Sequence, residues 1–286
     1  MKAAGFAALL LVFATAAGAR PGYTTPLPGG TSTPLVIVTG APDKEYAGPG
    51  AAVVPNTSFI IMQTKGGSIF LGPLLGAANI EAKSRDLAKK SAGGYMGVDL
   101  QGIASLSLAL IGAGTEPNAN AFTVKPYGYV QQCGDDEMYR VSIAYDVKGP
   151  GGKDAWHGRY VAHLAHPIPY AIFLKPTDEQ VAAFQADLTA AADAATRLLQ
   201  RDMQGELPEI GREVKFGSLN FIGNKLGGMG IYTAAKDMWL PNAQLIEEKD
   251  GTVIVRTKAH PSTFIFGMHT MARSQVHKLE DDGKKK

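Results

Sequence analysis

Met138-Tyr139-Arg140-Val141-Ser142-Ile143-Ala144-Tyr145-Asp146-Val147 is the stretch on which the fold turns. Every second residue is large and apolar, so Tyr139, Val141, Ile143, Tyr145 and Val147 share one face of an extended chain. Strand-like runs lie on both sides. Ala121-Phe122-Thr123-Val124 and Tyr127-Gly128-Tyr129-Val130 precede it across the turn residues Gly134-Asp135-Asp136-Glu137. Gly149-Pro150-Gly151-Gly152 follows, and Trp156 to Leu164 makes the next run. Extended runs divided by Gly, Pro and Asp describe a β-meander.

Moving towards the N-terminus, Leu35 to Thr39, Ala52 to Val54 and Ser58 to Gln63 are β-branched runs, the last followed by the turn Gly66-Gly67. Gly72-Pro73 opens a helix over Leu74 to Lys90, because proline at the first helical position forfeits no bond, and Gly93-Gly94 closes it. A second helix is expected from Leu100 to Ile111, with Leu100, Ile103, Leu106 or Ser107, and Leu110 on its buried face. Towards the C-terminus, Thr177 and Gln180 have capping-box spacing, and Val181, Phe184, Leu188, Ala191, Ala195, Leu198 and Met203 trace one helical face before Gly205 and Pro208. Ala243 to Glu248 and Thr252 to Thr257 flank Lys249-Asp250-Gly251 as a hairpin, and Thr263 to Met268 suggests one more strand.

Strands and helices thus fall in blocks instead of alternating. That order predicts an α+β fold: a mixed, mainly antiparallel sheet with one long amphipathic helix and two shorter helices packed on it. The expected division is a main domain over 35–204, a C-terminal β-rich part over 205–278 packed on the same domain, and a charged tail over 279–286 ending in Lys284-Lys285-Lys286. The Gly-rich stretch 205–230 is the one plausible internal boundary.

The first nineteen residues carry a different message. Lys2 precedes the apolar run Ala7-Ala8-Leu9-Leu10-Leu11-Val12-Phe13, and Ala17-Gly18-Ala19 puts small side chains where a signal peptidase cuts. The core is far shorter than the roughly 20 residues that span a bilayer. Cleavage before Arg20 is expected, with a flexible Pro/Gly/Thr linker over 20–34. Arg20 in place of a cysteine excludes a lipoprotein, and no later stretch has the length of a membrane helix. The tail lacks the terminal aromatic strand of an outer-membrane barrel, so a periplasmic or secreted protein is expected. Loss of residues 1–19 removes Lys2 and leaves a net charge of +1 from the +2 of the whole chain, too even a balance for a nucleic-acid surface. The lone Cys133 cannot form an internal disulfide, so packing alone must hold the fold.

Chemistry-bearing motifs are sparse. His163 and His166 are three apart, but on extended chain that spacing sends them to opposite faces, and a metal site needs convergence. His260, His269 and His277 follow near the C-terminus without His-Glu-x-x-His spacing. No metal and no cofactor are therefore expected; the first candidates for a metal are His163, His166, His260 and His269. Asp135, Asp136 and Glu137 read as an exposed turn whose anions disfavour a thiolate at Cys133. Gly223-Asn224-Lys225-Leu226-Gly227-Gly228-Met229-Gly230 has its Lys before the glycine pair and no hydroxyl in register, so it is no phosphate loop. Gly112-Ala113-Gly114 follows a helix, not a strand, and no Gly-x-Ser-x-Gly motif occurs. Tyr127, Tyr129, Tyr139, Tyr145, Trp156 and Tyr160 suit half-buried strands, or else a groove for a glycan or peptide.

These features lead to a non-enzymatic binding or accessory protein of the bacterial envelope, with another envelope protein, a glycan or a peptide as partner. The alternative is an exported hydrolase whose site forms only on folding, from His163, His166, His260 or His269 with Asp135 or Asp136. A third possibility is a surface protein that assembles through exposed strand edges.

Overall fold

The computed structural model describes residues 33–43, 50–63, 72–132, 137–151, 155–221, 239–258 and 264–281. The leader 1–19, most of the linker 20–34, Cys133 with Asp135 and Asp136, the Gly223–Gly230 segment, His260 and the terminal lysines lie outside these residues. No helix is long and apolar enough to cross a membrane among the described residues.

The fold is α+β. The meander forms as the alternation dictates: β4 (Phe122–Gln132), β5 (Met138–Lys148) and β6 (His157–His163) pair antiparallel over long registers. The two runs before β5 are one strand that carries Pro126 within it. β1 (Leu35–Ile37) and β3 (Phe59–Gln63) both join β4, parallel to it, at successive positions, and β2 (Ala51–Val53) closes that edge. A two-residue strand, β7 (Ile168–Pro169), pairs with the start of β5.

Beyond β6 the sheet continues without a break. β11 (Gly267–Ala272) lies parallel to β6, and β10 (Thr252–Thr257), β9 (Leu240–Lys249), β8 (Arg212–Ser218) and β12 (Val276–Asp281) follow antiparallel, making twelve strands in one sheet among the described residues. Three assignments differ from the sequence reading. β11 starts four residues later than expected, because Phe264, Ile265 and Phe266 are buried as a segment ahead of the strand. β8 and β12 were not foreseen. β12 runs through Glu280 and Asp281, which the sequence places in a charged tail. Its charged side chains belong to a sheet edge, where charge discourages pairing with other chains.

The helices cover one face of the sheet. α1 (Gly72–Lys90) packs on β2 and β3 through Ile80, Leu87 and Ala88. Its buried Ser84 hydroxyl donates to the Gly50 carbonyl at 2.6 Å and accepts from the Gln63 amide at 3.0 Å. α3 (Asp178–Met203) is the long helix, and it starts where the sequence places it. The Thr177 hydroxyl accepts from the Gln180 amide at 3.3 Å, and the Gln180 side chain accepts from the Thr177 amide at 2.9 Å. Such a cap stabilises the helix by about 1 kcal/mol. Phe184, Leu188, Ala195 and Leu198 are buried against β5 and β6.

α2 (Leu100–Ala109) forms as predicted, capped by Asp99, but it is turned about its axis. Leu100, Ala104, Ser107 and Leu108 are buried, whereas Leu106 and Leu110 are 75% and 82% exposed. Of the two residues the spacing left open, Leu106 and Ser107, the buried face takes Ser107. That face brings Ser107 to Asp193 of α3, Oγ to Oδ1 2.6 Å, and sets the small Ala104 at the interface.

Candidate functional site

The opposite face of the sheet carries the chemistry. On β5 the residues between the Tyr/Val positions are Ser142, Ala144 and Asp146, and all three are buried. The antiparallel register sets Ser142 opposite His163, Ala144 opposite Val161 and Asp146 opposite Arg159. β11, parallel to β6, brings His269 opposite Val161, so His163 and His269 are diagonal neighbours on one face.

The two imidazoles are stacked, with ring centroids 5.3 Å apart and planes at 11°. His163 Nε2 lies 3.1 Å from His269 Nδ1, Ser142 Oγ lies 2.7 Å from His163 Nδ1, and His269 Nε2 lies 2.8 Å from the Ile265 carbonyl. A carbonyl only accepts, which assigns the hydrogens along the row. His269 donates from Nε2 to Ile265 and accepts at Nδ1, His163 donates from Nε2 and accepts at Nδ1, and Ser142 donates its hydroxyl. The edges of Phe221 and Phe264 close on both rings.

A second polar group lies on the same face. Arg159 Nε donates to Asp146 Oδ1 at 2.7 Å and Nη2 to Oδ2 at 3.4 Å, with both side chains essentially without solvent contact. His157 Nε2 is 3.5 Å from Asp146 Oδ1. The guanidinium sits 5.8 Å from the centre of the Tyr127 ring and 5.5 Å from that of Phe266. Gly267, at the start of β11, has φ +120°, and a Cβ there would lie 2.5 Å from the Arg159 carbonyl. Glycine is what lets β11 approach β6 closely enough for this row of side chains to meet.

Electrostatics set the protonation states. Burial, reinforced by His269, pushes His163 well below the usual histidine range. Burial lowers His269 to about 3, with the Arg159 charge adding to it, although the bond to Ile265 opposes the shift. Burial pushes the Asp146 carboxyl up, but the charge of Arg159 and the bonds from His157 and Arg159 outweigh it and leave it below its usual range. Two neutral imidazoles therefore lie beside a buried ion pair.

Ser142, His163 and His269 have the order of a nucleophile, a base and an orienting group. Among the described residues the order lacks an anion beside it. Attack by Ser142 would leave an imidazolium on His163, and no carboxylate touches either ring among the described residues; the charge acting on His269 is the cation Arg159. Ser142 and His269 have no exposed surface. What the row does is satisfy four polar groups in an apolar layer, each of which would cost about 1–3 kcal/mol if left unpaired.

The candidates named from sequence are thus divided. His163 and His269 come together; His166, in the bend after β6, does not join them. It lies at the surface with Nδ1 2.9 Å from Asp187 Oδ2. His277 is exposed on β12. No group of three or more His, Cys, Asp or Glu able to hold a metal occurs among the described residues. The aromatic groove is corrected: Tyr127, Tyr129, Tyr139, Tyr145 and Tyr160 are at most 2% exposed and form core, so they line no open surface. Ser142, Asp146 and Arg159 were missed. Their signal was present in the small and polar residues filling alternate positions of a strand whose other face is apolar.

On the helix side a further buried group joins Tyr160, whose hydroxyl donates to Asp202 Oδ2 at 2.5 Å, to Arg256, whose Nη1 donates to the Glu209 carbonyl at 2.6 Å. Two of the surface clefts are bounded by described residues throughout. One, of about 500 Å³, lies between Gly40, Asn56–Ser58 and Met96–Gln101. The other, of about 520 Å³, lies between the last turns of α3 and the β9–β10 hairpin. Comparison with family models, curated proteins and solved structures found no match for the chain.

Proposed function

We propose that this chain is an exported, non-enzymatic binding or accessory protein of the bacterial envelope. The observation that carries this reading is the closed row Ser142–His163–His269–Ile265, in which a buried hydroxyl and two buried imidazoles bond to one another. With the base held neutral and no anion beside it among the described residues to stabilise its charged form, the row serves the fold. The leader at 1–19 supports export, and the two open clefts offer room for a ligand.

The test has two arms. Protein recovered from the extracytoplasmic fraction is expected to begin at Arg20 and to co-sediment with purified cell-wall polymer or an envelope protein. Treatment with a fluorophosphonate probe, which reacts covalently with activated serines, is expected to leave Ser142 unmodified. Stoichiometric labelling of Ser142 that is lost in His163→Asn would overturn the reading. It would favour the alternative hydrolase, for which the 2.7 and 3.1 Å contacts are the specific support.

A further inference from the structure

Away from the helices, the apolar side chains of the sheet fall into two separate clusters. Ile60, Tyr127, Tyr129 and Val161 form one on the strands before α3, and Phe264 lies on it. Val214, Phe216, Val253 and Val255 form the other on the strands after α3, with Phe221 packed among them. Phe221 and Phe264 meet over His163 and His269, at centroid distances of 4.9 to 6.3 Å. The polar row thus divides the two clusters.

The backbone is narrowest at the same place. β6 and β11 pair over three residues, against seven for β5 and β6 and six for β10 and β11. On the helix face the halves stay joined: Ile254 and Met268 share the large core with Leu198 of α3, and Arg201 of α3 holds both oxygens of Glu247 on β9. On the opposite face the row is reinforced by neutral bonds, from Gln275 to the Leu164 carbonyl and from Gln131 to the Asn220 carbonyl. Those bonds do not titrate; the imidazoles do.

Among the described residues, the charged and titratable groups facing this layer are Arg140 and Asp146 from β5, His157 and Arg159 from β6, and Tyr127 and Tyr129 from β4. Asp146 is engaged by Arg159 and approached by His157 at 3.5 Å. The charge that acts on His269 is the Arg159 cation. A proton on either ring would therefore add a second cation to an apolar layer. Water can carry that charge, so protonation is confined to a form in which the rings are wet.

We propose that the histidine row is an acid-sensitive seam: on acidification β6 and β11 part on the face away from the helices, wetting both imidazoles, while each half of the sheet keeps its own cluster and α3 holds the halves together. The seam is a conformational device of the fold and operates whatever the protein binds.

Native-state hydrogen exchange of the full chain at pH 7.5 and 5.0 tests it, with each rate divided by the intrinsic rate at that pH. A ring that is neutral when closed and titrates normally when open multiplies the open population about 30-fold over that interval, and two rings multiply it on the order of 1,000-fold. Amides of Tyr160–Ala162 and Met268–Thr270 bonded across the join are expected to lose protection within that range. At pH 5.0 they are expected to exchange about tenfold or more faster than the β4–β5 and β9–β10 ladders, with little response to sub-denaturing urea, because a local opening exposes little surface. Exchange at the join that matches those ladders at pH 5.0 overturns the proposal, since the rings are then released only by global unfolding. Protection that changes less than about threefold between the two pH values also overturns it. His163→Asn/His269→Gln is expected to abolish the pH dependence at the join, and its persistence there would assign the opening to another group. The wild-type comparison decides the matter even where that variant fails to fold.

Discussion

Acidification is expected to weaken this protein in a pH range where most proteins are at their most stable, because the folded state holds two histidines neutral. The sign follows from proton counting. His269 has its folded pKa lowered to about 3 by burial, against 6.5 in the unfolded chain. Below pH 6.5 the unfolded chain takes up a proton that the folded one refuses. Its contribution is complete above that value and declines by about 1.4 kcal/mol per pH unit as pH falls. At pH 5 the loss from His269 is about 2 kcal/mol, and His163, lowered in the same direction, adds a similar amount while it stays neutral. Together that is about 4 kcal/mol from a total stability on the order of 5–15 kcal/mol.

Urea unfolding at pH 7.5, 6.5, 5.5 and 5.0 measures it, with His163→Asn/His269→Gln as the reference. Subtracting the two curves cancels every group they share. Buried carboxylates with lowered pKa values, such as Asp146, release their stability only at lower pH and leave the range from 5 to 6.5 to the histidines. Imidazole ¹⁵N shifts of the wild-type chain give a second readout, which needs no variant to fold: both rings are expected to stay neutral at pH 5. A difference curve that is flat between pH 7.5 and 5.0, or imidazolium shifts from either ring at pH 5, refutes the reasoning.

Two further outcomes follow from the packing. Asp146→Asn leaves the Arg159 charge buried between Tyr127 and Phe266 without the carboxylate charge that balances it, and is expected to cost about 3–5 kcal/mol in urea melts; Asp146→Leu/Arg159→Met is expected to recover most of that. Leu108→Ala should cost about 2–5 kcal/mol and Leu106→Ala less than about 0.5 kcal/mol, because only the first is buried on α2.

The legible parts of the fold were those governed by a local period. Alternation over Met138–Lys148 placed β5 and its face, and the Thr177–Gln180 spacing placed the start of α3. What escaped depends on contacts distant in sequence. The face α2 buries is chosen by Asp193 and the sheet beneath, not by the size of Leu106. β8 and β12 are edge-side strands with charged, weakly alternating sequences, stabilised by each other across some sixty residues. The histidine row was half visible. Both members were named as candidates, but only the parallel register of β11 on β6 puts position 269 beside position 163, and a single sequence carries no record of that pairing.

That pairing is also where the polar interior acquires a purpose. Among the described residues, the strands before α3 and those after it pair only at β6·β11, a parallel ladder of three residue pairs from Met268↔Tyr160 to Thr270↔Ala162. Three pairs are a weak specification for the join of a large sheet, and an apolar ladder tolerates a shifted register. Here a one-residue slip would turn His269 to the helix face, break its bonds to His163 and Ile265, and strand both imidazoles away from water. It would also move Gly267 off the Arg159 carbonyl and bring Met268, with its Cβ, against it. Gln275 adds a stitch further on, its amide donating to the Leu164 carbonyl at 2.7 Å. With one cysteine in the chain and so no internal disulfide to fix the join, the register is held by buried groups that are satisfied in one alignment and costly in every other. On this account the histidine pair acts as a lock between two halves of a sheet, and the acid sensitivity predicted above is the physical consequence of building that lock from titratable rings.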